Sequence, residues 1–165
     1  MANISPDTTL PGQESAWDYP RPPRLERVSE RLRVVFAGQT IADTKAGYRV
    51  LETSHPPVYY IPWSDIQTSL LDQGPGNSFC EYKGEAVYWS ILANGKLSKN
   101  AGWSYPNPTP NFEPITGYVA FYASRVDECW IDDEKVIAQE GDFYGGWISS
   151  RVAGPFKGPP RTWGW

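Results

Sequence analysis

A chain of 165 residues is long enough for one domain with a sizeable core and short for two. Its net charge of −4 and pI near 5.0 argue against general binding to nucleic-acid backbones. No apolar run reaches membrane-spanning length, so no membrane partner is expected.

Residues 1–16 are small and polar and read as a flexible N-terminus ahead of a single domain over 17–165. They lack a basic stretch followed by an apolar one, so no secretory signal is expected and the expected location is the cytoplasm, where thiols stay reduced. Trp17 to Arg24 carries three prolines and two aromatics, the pattern of an extended arm docked on the domain. Arg31 to Phe36 alternates, with Leu32, Val34 and Phe36 on one face, as a half-buried strand does. Ala37-Gly38-Gln39 then turns the chain into a return strand over Thr40 to Asp43, and Tyr48 to Thr53 and Val58 to Ile61 follow on either side of Pro56-Pro57. One short helix is expected near 64–71, with Ser64 and Gln67 spaced as a capping box and Gly74-Pro75-Gly76-Asn77 ending it.

Phe79 to Lys83 and Ala86 to Leu92 read as strands around Gly84, and Asn94-Gly95 is a hairpin turn. Trp103 to Pro114 reads as an irregular loop. Tyr118 to Tyr122 is a strand, and Val126 to Ile131 and Lys135 to Ala138 form a hairpin across the acidic turn Asp132-Asp133-Glu134. The tail from Gly145 reads as a coil pinned by Trp147, Trp163 and Trp165. With 24 aromatic residues (8 Trp, 10 Tyr and 6 Phe), 15 Gly and 16 Pro, the pattern describes a mainly β domain of short strands and many turns.

Residues 78–89 concentrate the chemistry. Cys80 lies three residues before Lys83, whose amine would favour the thiolate if the chain turns at Gly84; Glu81 and Glu85 oppose that ionisation. The alternative is a packed thiol in a core or pocket wall. Lys83 and Glu85 are two apart, so they would share a strand face, either as an acid–base and charge-stabilising pair or as an exposed ion pair. His55, the only histidine, sits in Thr53-Ser54-His55-Pro56-Pro57, where it serves either a site or a rigid corner. No metal site is expected, because Cys80, Cys129 and His55 cannot supply two close ligand pairs and Cys-x-x-Cys is absent. No cofactor motif stands out either. Arg21, Arg24, Arg27, Arg31 and Arg33 form a basic run broken by Glu26 and Glu30, read as a solvated face. Tyr82-Lys83-Gly84 and Phe156-Lys157-Gly158 echo each other, too briefly to count as a repeat.

Several stretches resemble the family known as domain of unknown function 427. They include Trp17 to Pro23, Ile41 to Thr44, Leu51 to Pro62, Phe79 to Gly84, Val119 to Tyr122, Phe143 to Ile148 and Gly154 to Gly158. Glu81 departs from the pattern, standing where many members carry proline. The resemblance implies a single β-tent-like domain, similar in shape to the Mss4-like group, with two antiparallel sheets and a cleft between them near Cys80 to Tyr88. It implies no particular activity.

Two functions follow as expectations. The first is a pocket for an unknown small molecule, binding or enzymatic, lined by Tyr59, Tyr88, Trp103 and Tyr144, with His55, Cys80, Lys83 and Glu85 as its polar groups. The second is a protein-interaction module that presents the aromatics and prolines of 17–23 and 103–112. A structural homodimer is a third possibility.

Overall fold

The computed structural model describes residues 4–80, 82–141 and 143–165; Glu81 lies outside them. The fold is mainly β. In chain order the strands are β1 (Glu14–Ser15), β2 (Arg24–Val28), β3 (Leu32–Phe36), β4 (Gln39–Thr44), β5 (Gly47–Leu51), β6 (Val58–Tyr60), β7 (Leu71–Cys80) and β8 (Gly84–Ala93). They continue as β9 (Lys96–Ser104), β10 (Val119–Phe121), β11 (Glu128–Ile131), β12 (Glu134–Lys135), β13 (Ile137–Ala138), β14 (Trp147–Ile148) and β15 (Val152–Ala153).

Three antiparallel sheets carry the architecture. One has the order β12-β11-β3-β4, a second β10-β9-β8-β7 and a third β2-β5-β6. Two ribbons complete it, β13 with β14 and the parallel pair β1 with β15, which ties Glu14–Ser15 to Val152–Ala153. An isolated bridge between Ile61 and Val119 joins the third sheet to the second.

Period-2 alternation explains the layering. On β3, Leu32, Val34 and Phe36 are buried while Arg33 faces outward over the ring of Trp130, its cross-strand partner, at 5.3 Å. Val119 and Phe121 of β10 point into a core with Leu32, Ile41, Ile91 and Ile131, whereas Ala120 and Tyr122 point the other way, into an aromatic cluster with Tyr60, Trp103 and Phe112. One short strand thus divides two cores. At the β8–β9 turn, Asn94 and Gly95 adopt φ of 49° and 74°, the left-handed pair that a two-residue hairpin demands.

Helical structure near 64–71 is present as two single turns of 3₁₀ helix, Trp63–Asp65 and Thr68–Leu70. The capping box does not form. Pro62 occupies the N-cap of the first turn without a side-chain bond, and the Gln67 amide donates instead to the Thr40 carbonyl at 2.7 Å. Gly74 to Asn77 does not end an element: it forms the irregularity between Gln73 and Asn77 inside β7, where the register to β8 shifts. Trp103 and Ser104 belong to β9, and the loop beyond them contains the 3₁₀ segment Pro110–Ile115. In the tail, Trp147 is buried and Trp165 packs edge-on against Trp17 at 5.4 Å, but Trp163 is 76% exposed and pins nothing. No helix among the described residues is long and apolar enough to cross a membrane.

Candidate functional site

A cleft of about 280 Å³ opens beside the aromatic cluster. One wall is the β7–β8 hairpin, a second is the segment after β5 that carries Glu52 and His55, and a third combines Tyr144 with Lys157. The hairpin supplies Ser78, Cys80, Ala86 and Tyr88, which cross-strand pairing (Ser78 with Ala86, Cys80 with Gly84) places on one face. The Tyr88 hydroxyl and Ser78 Oγ are 2.8 Å apart, bracing that wall.

The floor consists of packed rings. Trp103 lies 4.6 Å from Tyr122 and meets Tyr60 edge-on at 6.3 Å, and Tyr60 approaches Tyr105 at 6.4 Å. Burial, first of all, holds the hydroxyls of Tyr60 and Tyr105 well above the usual tyrosine range, so both remain neutral phenols. The Gly145-Gly146 pair lets the backbone run beneath these groups. A Cβ on Gly145 would overlap the Trp103 indole, and one on Gly146 would stand 2.6 Å from Pro56.

His55 is 9% exposed. Its Nδ1 donates to the Thr53 carbonyl at 2.9 Å, because a carbonyl only accepts, and this leaves Nε2 as the unprotonated nitrogen with no hydrogen bond among the described residues. Burial lowers the proton affinity of the imidazole below the ordinary histidine value; the Glu52 carboxylate, 3.9 Å from Nδ1, acts in the opposite direction. The Tyr144 ring packs edge-on to the imidazole at 5.2 Å.

Gly84, at φ +109°, turns the chain between β7 and β8 and brings Lys83 to the cleft. Its ammonium lies 5.8 Å from the Phe112 ring centre and 6.0 Å from that of Tyr105. Lys157 enters from the C-terminal segment, with its ammonium 5.6 Å from the Tyr144 ring centre. Neither lysine forms an ion pair among the described residues.

Six of the eight residues nominated from sequence therefore line one cleft: His55, Cys80, Lys83, Tyr88, Trp103 and Tyr144. Two do not. Glu85 is exposed on β8, outside the cleft wall, and makes no ion pair with Lys83 among the described residues. Tyr59 lies in the other core, its ring 5.2 Å from that of Trp147, and Tyr60 takes the place in the cleft that Tyr59 was expected to fill. Lys83 N–H donates to the Cys80 carbonyl at 3.2 Å, but no hydrogen bond links the side chains of His55, Cys80 and Lys83 among the described residues, so the Cys–His arrangement is not assembled. Both cysteines are free thiols, and burial pushes that of Cys129 far up.

Sequence reasoning missed Glu52, Tyr60, Tyr105, Tyr122, Gln139 and Lys157 as cleft residues. The echo between Tyr82-Lys83-Gly84 and Phe156-Lys157-Gly158 was the available signal for Lys157. Buried Gln139 ties the third wall together, donating to the Lys157 carbonyl at 2.7 Å and accepting from Gly146 N–H at 3.1 Å.

No curated protein matches this chain. A family described as a domain of unknown function (DUF427) matches residues 24–132, about two thirds of the chain, which takes in His55, Cys80, Lys83 and Trp103 but leaves Tyr144 and Lys157 outside. The chain belongs to the DUF427 family.

Proposed function

We propose that this domain binds a small molecule in the aromatic cleft. The observation that carries the reading is convergence: residues as distant in sequence as His55, Cys80, Trp103 and Tyr144 meet in one concavity. Its volume of about 280 Å³ lies just below the usual range of ligand pockets, which run from roughly 300 Å³ upward, and suits a small ligand. Ring walls with a few polar groups suit such a role: phenol hydroxyls, the His55 Nε2 and two ammonium groups are available to orient a ligand against the indole and phenol faces.

The interaction-module reading has less support, because Trp103, Tyr105 and Phe112 are buried in the aromatic cluster and present no exposed patch. What favours it is local: Phe79 and Phe143, 77% and 76% exposed, stand at the cleft itself.

A thermal-shift screen of the full chain against a metabolite panel tests the pocket. A ligand present at a hundred times its Kd should stabilise the fold by about 2.7 kcal/mol. The shift should shrink or vanish in Lys83→Ala while the unliganded melting temperature stays near wild type. A panel in which no compound stabilises the wild-type chain counts against the pocket.

A further inference from the structure

We propose that the ligand of this cleft is an aromatic anion, a carboxylate or a phosphate ester, held between ring faces and the two ammonium groups of Lys83 and Lys157. This inference rests on the small-molecule reading and adds a charge and a shape to it.

The charge argument begins with the whole chain. A protein of net charge −4 presents two lysines to its aromatic cleft, and neither has a carboxylate partner among the described residues. The one acid that lines the cleft among the described residues, Glu52, is already engaged by Arg21 at 3.5 Å and lies 3.9 Å from the His55 ring nitrogen. The uncompensated charge of the cleft among the described residues is therefore positive. Concave walls of low polarity strengthen such a field and draw in ions of the opposite sign.

The position of the ammonium groups supports the same ligand. Lys83 is held against Phe112 and Tyr105, and Lys157 against Tyr144. Ring faces keep each cation close to the cleft without neutralising it, so its donors stay available for charge-assisted hydrogen bonds. The shape comes from the floor: Trp103, Tyr60 and Tyr122 offer ring edges and faces, and a cavity of about 280 Å³ suits a body of one or two fused rings.

Four matched probes test this on the full chain by NMR titration: naphthoate, naphthyl phosphate, naphthamide and naphthylmethylamine. At least one of the two anions should bind the wild-type chain about tenfold tighter than the neutral amide, and the amine should bind weakest. The ratio between the two anions identifies the preferred head group. Lys83→Gln and Lys157→Gln should each lower anion affinity about threefold to tenfold, leave amide affinity unchanged and preserve the melting temperature; Lys83→Arg should retain anion binding. Anion selectivity should also shrink as salt is raised, because the lysines are partly exposed. Equal binding of amide and anions overturns the inference and leaves the small-molecule reading standing. Anion selectivity that survives both lysine substitutions overturns the assignment to these residues. If none of the four probes binds, both readings lose their support.

Discussion

Two concave regions of this protein hold charged groups in opposite ways. In the polar one, of about 310 Å³, Arg49 reaches Glu14 at 2.9 Å and Glu26 at 2.7 Å, and Arg151 reaches Asp132 at 3.1 Å and Glu30 at 3.7 Å. In the aromatic one, Lys83 and Lys157 meet rings in place of carboxylates among the described residues. Size does not separate the two. What separates them is whether the fold has already supplied each charge with its counter-ion. In the first it has done so for Arg49 and Arg151, while Arg27 there faces the Tyr48 ring at 5.8 Å; Arg49 joins β5 to β2 and to β1, and so ties three strands together. Beside that network, burial pushes the Tyr59 phenol up to about 12, although Arg49 pulls the other way. In the second, the two lysines have no carboxylate partner among the described residues.

The largest expected effect comes from breaking the aromatic wall. Gly145→Ala places a methyl against the Trp103 indole, within 2.6 Å of Cζ3, so the ring or the backbone must move. The cost should be about 1–3 kcal/mol in urea denaturation, with altered tryptophan fluorescence and loss of ligand binding. An unchanged spectrum and midpoint would mean that Trp103 is not held by this close approach.

Arg49→Met tests the other concavity. Removing the guanidinium leaves Glu14 and Glu26 without their partner, and because both acids are partly exposed the loss should be about 1–2 kcal/mol. Probe binding in the aromatic cleft should not change. A variant as stable as wild type would show that the ion pairs contribute nothing to the fold.

The smallest effect is in pH. The folded-state pKa of His55 is depressed, chiefly by burial, so below the ordinary value of 6.5 the unfolded chain binds the proton more readily than the folded one. The stability this group contributes is present above pH 6.5 and falls away as pH drops below it. Lys157 and Arg21 add to the lowering by burial, while Glu52 and the Thr53 carbonyl oppose it. Chemical denaturation from pH 7.5 to pH 5.5 should show the decline in wild type and a flatter profile in His55→Gln. Equal slopes would remove His55 as the cause. The contribution of Glu14, whose pKa is lowered by Arg49, is lost only below 4.5, outside this window.

Much of the fold is legible along the chain because its signals are local. Alternation marks β3, the Asn94-Gly95 pair demands a left-handed turn, and Pro56-Pro57 separates β5 from β6. The errors arise where tertiary pairing overrides a local signal. Gly74-Pro75-Gly76-Asn77 carries every mark of a breaker, yet pairing with β8 continues on both sides of it and absorbs the irregularity as a shift of register. Ser64 and Gln67 have capping spacing, but the Gln67 side chain, an acceptor in a capping box, instead donates to the Thr40 carbonyl of the neighbouring strand.

The site divides in the same way. The sequence alone determined a mainly β domain, its family, and a segment around Cys80 and Lys83 in which a thiol, an amine and acids gather. Which neighbours those groups meet depended on side-chain direction. Adjacent positions on a strand face opposite ways, so a step of one residue sent Tyr59 to the main core and Tyr60 to the cleft. Glu85 was separated from Lys83 because the turn at Gly84 resets the alternation. Lys157 lies 74 positions beyond Lys83, and only the docking of the C-terminal segment, with Lys157 N–H donating to the Ser54 carbonyl at 2.8 Å, brings both lysines to one cleft. Strand periodicity is a property of a few neighbouring residues and can be read along the chain; a cleft is the meeting of distant segments, and packing decides it.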